Sequence, residues 1–156
     1  MRPRTVFAGL ATAAATACLM TTPAHAATPG LVDGTASALG YSCSFANAAT
    51  SDTPPNTLTV DRATIVPQCG SGVSLSLANS PTISFDDTAG TASSDRIDVS
   101  GSALGITCTY RVTNASITRD GTTRAYAGGP FTATKISGTF LCPATTTVDS
   151  VAFTFH

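Results

Sequence analysis

From Leu104 to Val112 every second residue is apolar: Leu104, Ile106, Cys108, Tyr110 and Val112, with Gly, Thr, Thr and Arg between them. A period of two puts all five on one side of an extended backbone, the pattern of a strand with one buried face. The same signature lies 65 residues earlier, where "SALGYSCSF" (Ser37–Phe45) matches "SALGITCTY" (Ser102–Tyr110). Parity predicts that the Leu, the Cys and the aromatic ring of each copy share the buried face. The repeated stretch reads as a core strand carrying a disulfide anchor.

The rest of the chain supports strands and disfavours helices. It holds no Glu and one Lys, whereas exposed helix faces are built from Glu, Lys, Gln and Arg. Thr, Ser, Val and Ala suit a half-buried pleated surface better. Apolar content of 42% with 11% charged residues sets the chain apart from disordered sequences, which combine low hydrophobicity with high charge. Further short strands are expected in "TLTVDRATIV", "GVSLSLAN", "PTISF", "RIDVS", "FTATKISGTFLC" and "VDSVAFTF", separated by pieces such as "TSDTPPN", "CGSG" and "DDTAGTASSD". Asp120–Gly121 predicts a tight hairpin, because both residues tolerate positive φ. Eight or nine short antiparallel strands at this spacing suggest an immunoglobulin-like β-sandwich, with a barrel as the lesser option.

The first 26 residues read as an export signal. Arg2 and Arg4 precede an apolar run from Val6 to Met20, and "TTPAHA" ends in a small-x-small pattern, placing the cut after Ala26. The run is short for a membrane span, Arg-Pro-Arg is not a twin-arginine pair, and a Sec-type route to a secreted or wall-associated location is expected. A lipoprotein reading would use Cys18. Cleavage leaves residues 27–156 as a single domain. Six Arg and Lys against nine Asp give that part a formal net charge of −3, which offers no footprint for nucleic acid or anionic lipid.

Four cysteines remain, and an even count in an exported domain implies disulfides. Each half has a motif Cys (Cys43, Cys108), a second Cys (Cys69, Cys142), then a strand ending in hydroxyl–Phe, "TISF" or "AFTF". Half-repeats of about 35–86 and 100–156 suggest internal duplication. Three pairings are open, and duplication favours Cys43–Cys69 with Cys108–Cys142. No Cys or His stands at zinc or Cys-x-x-Cys spacing to another, and no cofactor is implied.

Catalytic groups are scarce. His25 leaves with the leader, so His156 at the chain end is the remaining imidazole, poorly placed to be held as a general base. Asp86, Asp87, Asp95 and Asp98 form an acidic stretch whose alternatives are a solvated turn, a calcium loop or a carboxylate pair for hydrolysis. Arg96, Arg111, Arg119 and Arg124 are expected to point outward, with an anion site as the alternative. Asn114-Ala-Ser116 fits the glycosylation pattern. In "RAYAGGPF", Tyr126 and Phe131 flank Gly-Gly-Pro as a candidate contact loop, against the reading that both rings pack on the core. Trp, the favoured platform for sugar rings, is absent.

The segment from "CTY" through "TKISGTFLCPATTTVDSVAFTF", residues 105–155, resembles the C-terminal part of small secreted β-rich proteins of actinobacteria with a Cys-x-Tyr strand and an SG-x-FLCP segment. The resemblance implies a secreted, disulfide-bonded β-domain and transfers no site residues. Likeness to the enediyne-binding apoproteins is one of class only, since their disulfide loops are much shorter. The expectation is a non-enzymatic exported protein acting through surface contacts with cell wall, protein or ligand. A small-molecule carrier with a pocket between the sheets is the alternative, and an Asp-dependent hydrolase stands third.

Overall fold

A computed structural model describes residues 28–70 and 72–156; the expected leader and Cys18 lie outside the described residues. The chain is all-β. Its strands are β1 (Gly30–Ala38), β2 (Tyr41–Thr50), β3 (Leu58–Thr59), β4 (Gln68–Cys69), β5 (Val73–Leu77), β6 (Thr82–Asp86), β7 (Thr91–Ala103), β8 (Ile106–Arg119), β9 (Ala125–Gly128), β10 (Phe131–Gly138) and β11 (Thr145–Phe155). One 3-10 turn, Arg62–Thr64, is capped by the Asp61 carboxylate, which accepts from the Ala63 N–H. Among the described residues no helix is long and apolar enough to cross a membrane.

All pairings are antiparallel, and the strands form one continuous sheet rather than the two separate sheets of an immunoglobulin-like sandwich. The order is β3-β6-β7-β8-β10-β11-β1-β2-β4, with β5 beside β7 and β9 between β8 and β11. The sheet's two margins then meet. Thr50 bridges Val60, the Ser51 N–H donates to the Thr59 carbonyl at 2.9 Å, and the Asp61 N–H donates to that of Ala49 at 2.8 Å. The sheet therefore curls until it closes on itself at this end, which removes exposed edges there.

Curling depends on bends in the long strands. In β2 and β8, Asn47 and Asn114 take positive φ of 56° and 51°, a conformation Asn tolerates better than most residues. Beyond Asn114 the inward parity shifts from Val112 to Ala115 and Ile117, and β7 shifts with it from Ile97 to Ser94 and Ala92, so both strands bend together while their register, Ile97 to Val112 and Ser94 to Ala115, is kept. The single slot between β8 and β11 is shared by β9 and β10, parted at Gly129, where a Cβ would stand 2.5 Å from the Asp149 carbonyl oxygen.

The closed end is filled. Val32, Ala48, Leu58, Ile83, Ile117, Tyr126 and Phe155 form one buried cluster, and Phe85, Tyr126 and Phe155 meet edge-on or tilted with centroids 5.2–5.9 Å apart, a favoured geometry for rings. Gly34 admits Phe45 and Phe153, since a Cβ there would overlap the Phe45 ring.

Outside the sheet, Asp98 of β7 is the buried carboxylate, with its side chain 3% exposed. Arg111 donates to it through Nε at 2.7 Å and Nη2 at 3.0 Å, Arg96 donates through Nε at 2.8 Å, and its own N–H donates to the Asn79 side chain at 2.7 Å. The Arg111 and Arg96 guanidiniums hold its carboxyl far below the usual carboxylate range. A depressed pKa stabilises the fold above the unfolded value of about 3.9 and is lost as pH falls through the folded value. Asp98→Asn is expected to cost about 2 kcal/mol near neutral pH, a moderate figure because both arginines stay partly solvated. Urea midpoints measured from neutral pH down past about pH 3 check this; the variant's acid limb should be shallower than the wild type's.

Candidate functional site

The opposite end is walled but not filled. Above the aromatic cluster the barrel holds a cavity of about 510 Å³, within the size range of small-molecule sites. Its walls are Val73, Leu75 and Leu77 of β5, Val99 of β7, Ile106 of β8 and Val148 of β11. These side chains alternate inward by strand parity, yet none of them reaches full burial; Val148 packs against the small cluster of Val112, Ala115 and Ala133, and the others face the space. Gly101 belongs to the same wall, and a Cβ built on it meets nothing closer than 3.9 Å. Hardly any polar group is turned inward, so the space suits an uncharged, apolar guest.

The two copies of the opening motif frame the mouth, each as a turn between the ends of two strands rather than as one continuous strand. Ala38 pairs with Tyr41 and Ala103 with Ile106, so Leu39–Gly40 and Leu104–Gly105 are two-residue hairpin turns. Their φ values, 53° and 79° in the first and 52° and 78° in the second, are positive at both central positions, as a type I′ turn requires. Leu39 is 70% exposed and Leu104 97%, so the inward placement expected for both is corrected. The Cys and aromatic parity holds: Cys43, Phe45, Cys108 and Tyr110 all line the cavity.

Both disulfides brace this hollow half. Cys43–Cys69 joins paired positions of β2 and β4, and Cys108–Cys142 ties β8 to the segment following β10. The second bond anchors the loop that presents Phe140 (91% exposed) and Leu141 to solvent. Lys135 reaches into the base of that loop, its ammonium donating to the Cys142 carbonyl at 3.0 Å. The pairing is the one favoured by the half-repeats.

The other candidates are dispersed. Tyr126 is 1% exposed, and Phe131 is half-buried between the two core clusters, so the candidate contact loop turns its rings inward: β9 runs antiparallel to β11 with Tyr126 opposite Phe153. The acidic stretch is split by the β6–β7 hairpin. Asp87 binds Arg119 and Arg124, each at 2.8 Å, and these, Arg124 foremost, hold its carboxyl below the usual range. Asp98 belongs to the cluster on β7. Among the described residues no group of three His, Cys, Asp or Glu could hold a metal. The Asp120–Gly121 hairpin forms with a five-residue turn between Arg119 and Ala125. His156 is fastened by backbone hydrogen bonds in both directions to Leu31, and its Nε2 lies 3.4 Å from Asp33 Oδ1.

No family model, curated protein or solved structure matches the chain.

Proposed function

We propose that this protein is an exported carrier for an uncharged, apolar small molecule, held in the cavity at the open end of the barrel. The observation that supports the reading most is the contrast between the two ends. One is packed with rings; above it, from a floor that includes Val32, Ile83, Ile117 and Phe155 of that cluster, equally apolar inward side chains surround about 510 Å³ of space. Leaving apolar walls unfilled forgoes dispersion contacts that a packed core would gain, and a guest restores them. Two disulfides suit an oxidising compartment, in keeping with the leader read in the sequence. The surface-contact expectation is absorbed here, since the most exposed of the apolar residues, Leu104 and Phe140, lie at the open end with Leu39.

Gly101 supplies the test. Its φ lies outside the positive range and its Cβ position is open, so Gly101→Phe is expected to send a ring into the cavity without strain. Nile red, an uncharged fluorophore, should bind the wild type with enhanced emission. The variant should bind at least about tenfold more weakly, since the apolar area available to the dye is taken. Its melting temperature should stay level or rise, because Gly within a strand is itself weakening. Equal dye binding by both proteins would refute the carrier reading.

A further inference from the structure

We propose that the open end docks on a lipid bilayer, with the apolar loop tips entering the headgroup boundary and holding the cavity mouth against the membrane. The inference deepens the carrier reading and rests on it for its purpose, while docking and uptake are measured separately below.

The turns themselves carry the argument. A type I′ turn favours Asn, Asp or Gly at its first central position, and a left-handed backbone is costly for a bulky side chain. Leu occupies that position in both hairpins and is solvated in both. It therefore helps neither the turn nor the core. A local rule broken twice, with no folding gain, is the mark of a working residue.

Placement adds to this. Strand direction brings three connections to the same end: residues 39–40, 104–105 and 139–144. None of the three contains Asp, Arg or Lys, whereas the turns at the closed end carry Asp52, Asp87, Asp120 and Arg124. Charge is thus largely segregated along the barrel; the Lys135 ammonium at the base of the 139–144 loop is turned back onto the Thr139 and Cys142 carbonyls, so the tips themselves enter a poorly hydrated layer with little desolvation cost. Tyr41, half exposed beside Leu39, is the kind of ring that settles at a membrane–water boundary.

The shape favours lipid over a protein surface. Leu39, Leu104 and Phe140 project singly around an opening, and protein interfaces need broad, closely complementary patches. A fluid interface accepts separate projecting side chains. An apolar guest leaving the cavity also needs an apolar phase to enter.

The experiment is flotation with vesicles of pure phosphatidylcholine, and with vesicles containing added phosphatidylglycerol. The wild type is expected to float with both to a similar extent and to resist added salt, as the rim lacks a basic patch. The combined variant Leu39→Asn, Leu104→Asn, Phe140→Ser should partition at least about a hundredfold more weakly, given the apolar area withdrawn from the interface. The double variant Leu39→Asn, Leu104→Asn should melt higher than the wild type while binding vesicles less, an outcome that a structural role for these leucines would reverse. Gly101→Phe should still float while losing Nile red, so failed docking and failed uptake are read apart. The proposal is overturned if the wild type stays with the soluble fraction, if the triple variant floats equally, or if sedimentation without lipid shows a dimer that the tip substitutions dissolve. Strict dependence on phosphatidylglycerol would also overturn it, replacing apolar insertion with charge attraction.

Discussion

Replacing Cys108 and Cys142 together by Ala is expected to lower the unfolding free energy by about 4 kcal/mol. The bond spans 34 residues, and in the chain-entropy account a crosslink removes unfolded conformations in proportion to the logarithm of its loop. Cys43–Cys69 spans 26, which gives about 3.5 kcal/mol on the same basis. Either loss is a large share of the 5–15 kcal/mol typical of a domain. The position of the bonds makes the local effect larger still: both lie in the half with the least packing, where few contacts can substitute for them. Urea unfolding of each double-Ala variant, with and without reductant for the wild type, measures the difference. A midpoint that does not move would show that the open half is held by something other than its crosslinks.

The second large effect is expected at Tyr126. Tyr126→Ala should destabilise by about 4 kcal/mol, in the range for deleting a large buried ring. The ring is 1% exposed and contacts both Phe85 and Phe155, with centroids 5.4 Å and 5.9 Å away. Removing it opens a void at the one place where the barrel is well filled, and neither phenylalanine can move in without leaving its other neighbours. Calorimetry is the check. A contact residue on a loop would leave the melting temperature nearly unchanged, so a shift of less than a degree or two would return Tyr126 to that role.

Period two made the strand class legible, because it depends only on which face each residue takes. It placed Cys108, Tyr110 and Val112 correctly, while the half-repeats favoured the disulfide pairing that forms. The same parity misplaced Leu104, and the reason is geometrical. A two-residue turn consumes two residues, so the alternation passes through Leu104–Gly105 into Ile106 without a visible break. Asn-Gly would have announced the turn; Leu-Gly conceals it. The single curled sheet was illegible for another reason. Whether β7 and β8 belong to one sheet or two is decided by bends at Asn47 and Asn114 and by the return of residues 59–61 to the end of β2, contacts remote in sequence. The cavity left no trace either, since an inward Val in a filled barrel and one in a hollow barrel stand in the same pattern. The lack of charge in the three open-end turns was visible, but only the fold gathers those segments at one rim.

Strands β7, β8 and β11 each run the full height of the barrel, so the same backbone is embedded in aromatic packing below and stretched around open space above. Deformation is therefore graded along a single strand. The base behaves as a stiff foot and the upper wall as a compliant collar, its width limited by two covalent hoops. On the carrier proposal, guests of somewhat different girth are expected to be accommodated by flexing the collar, while the aromatic base keeps its shape.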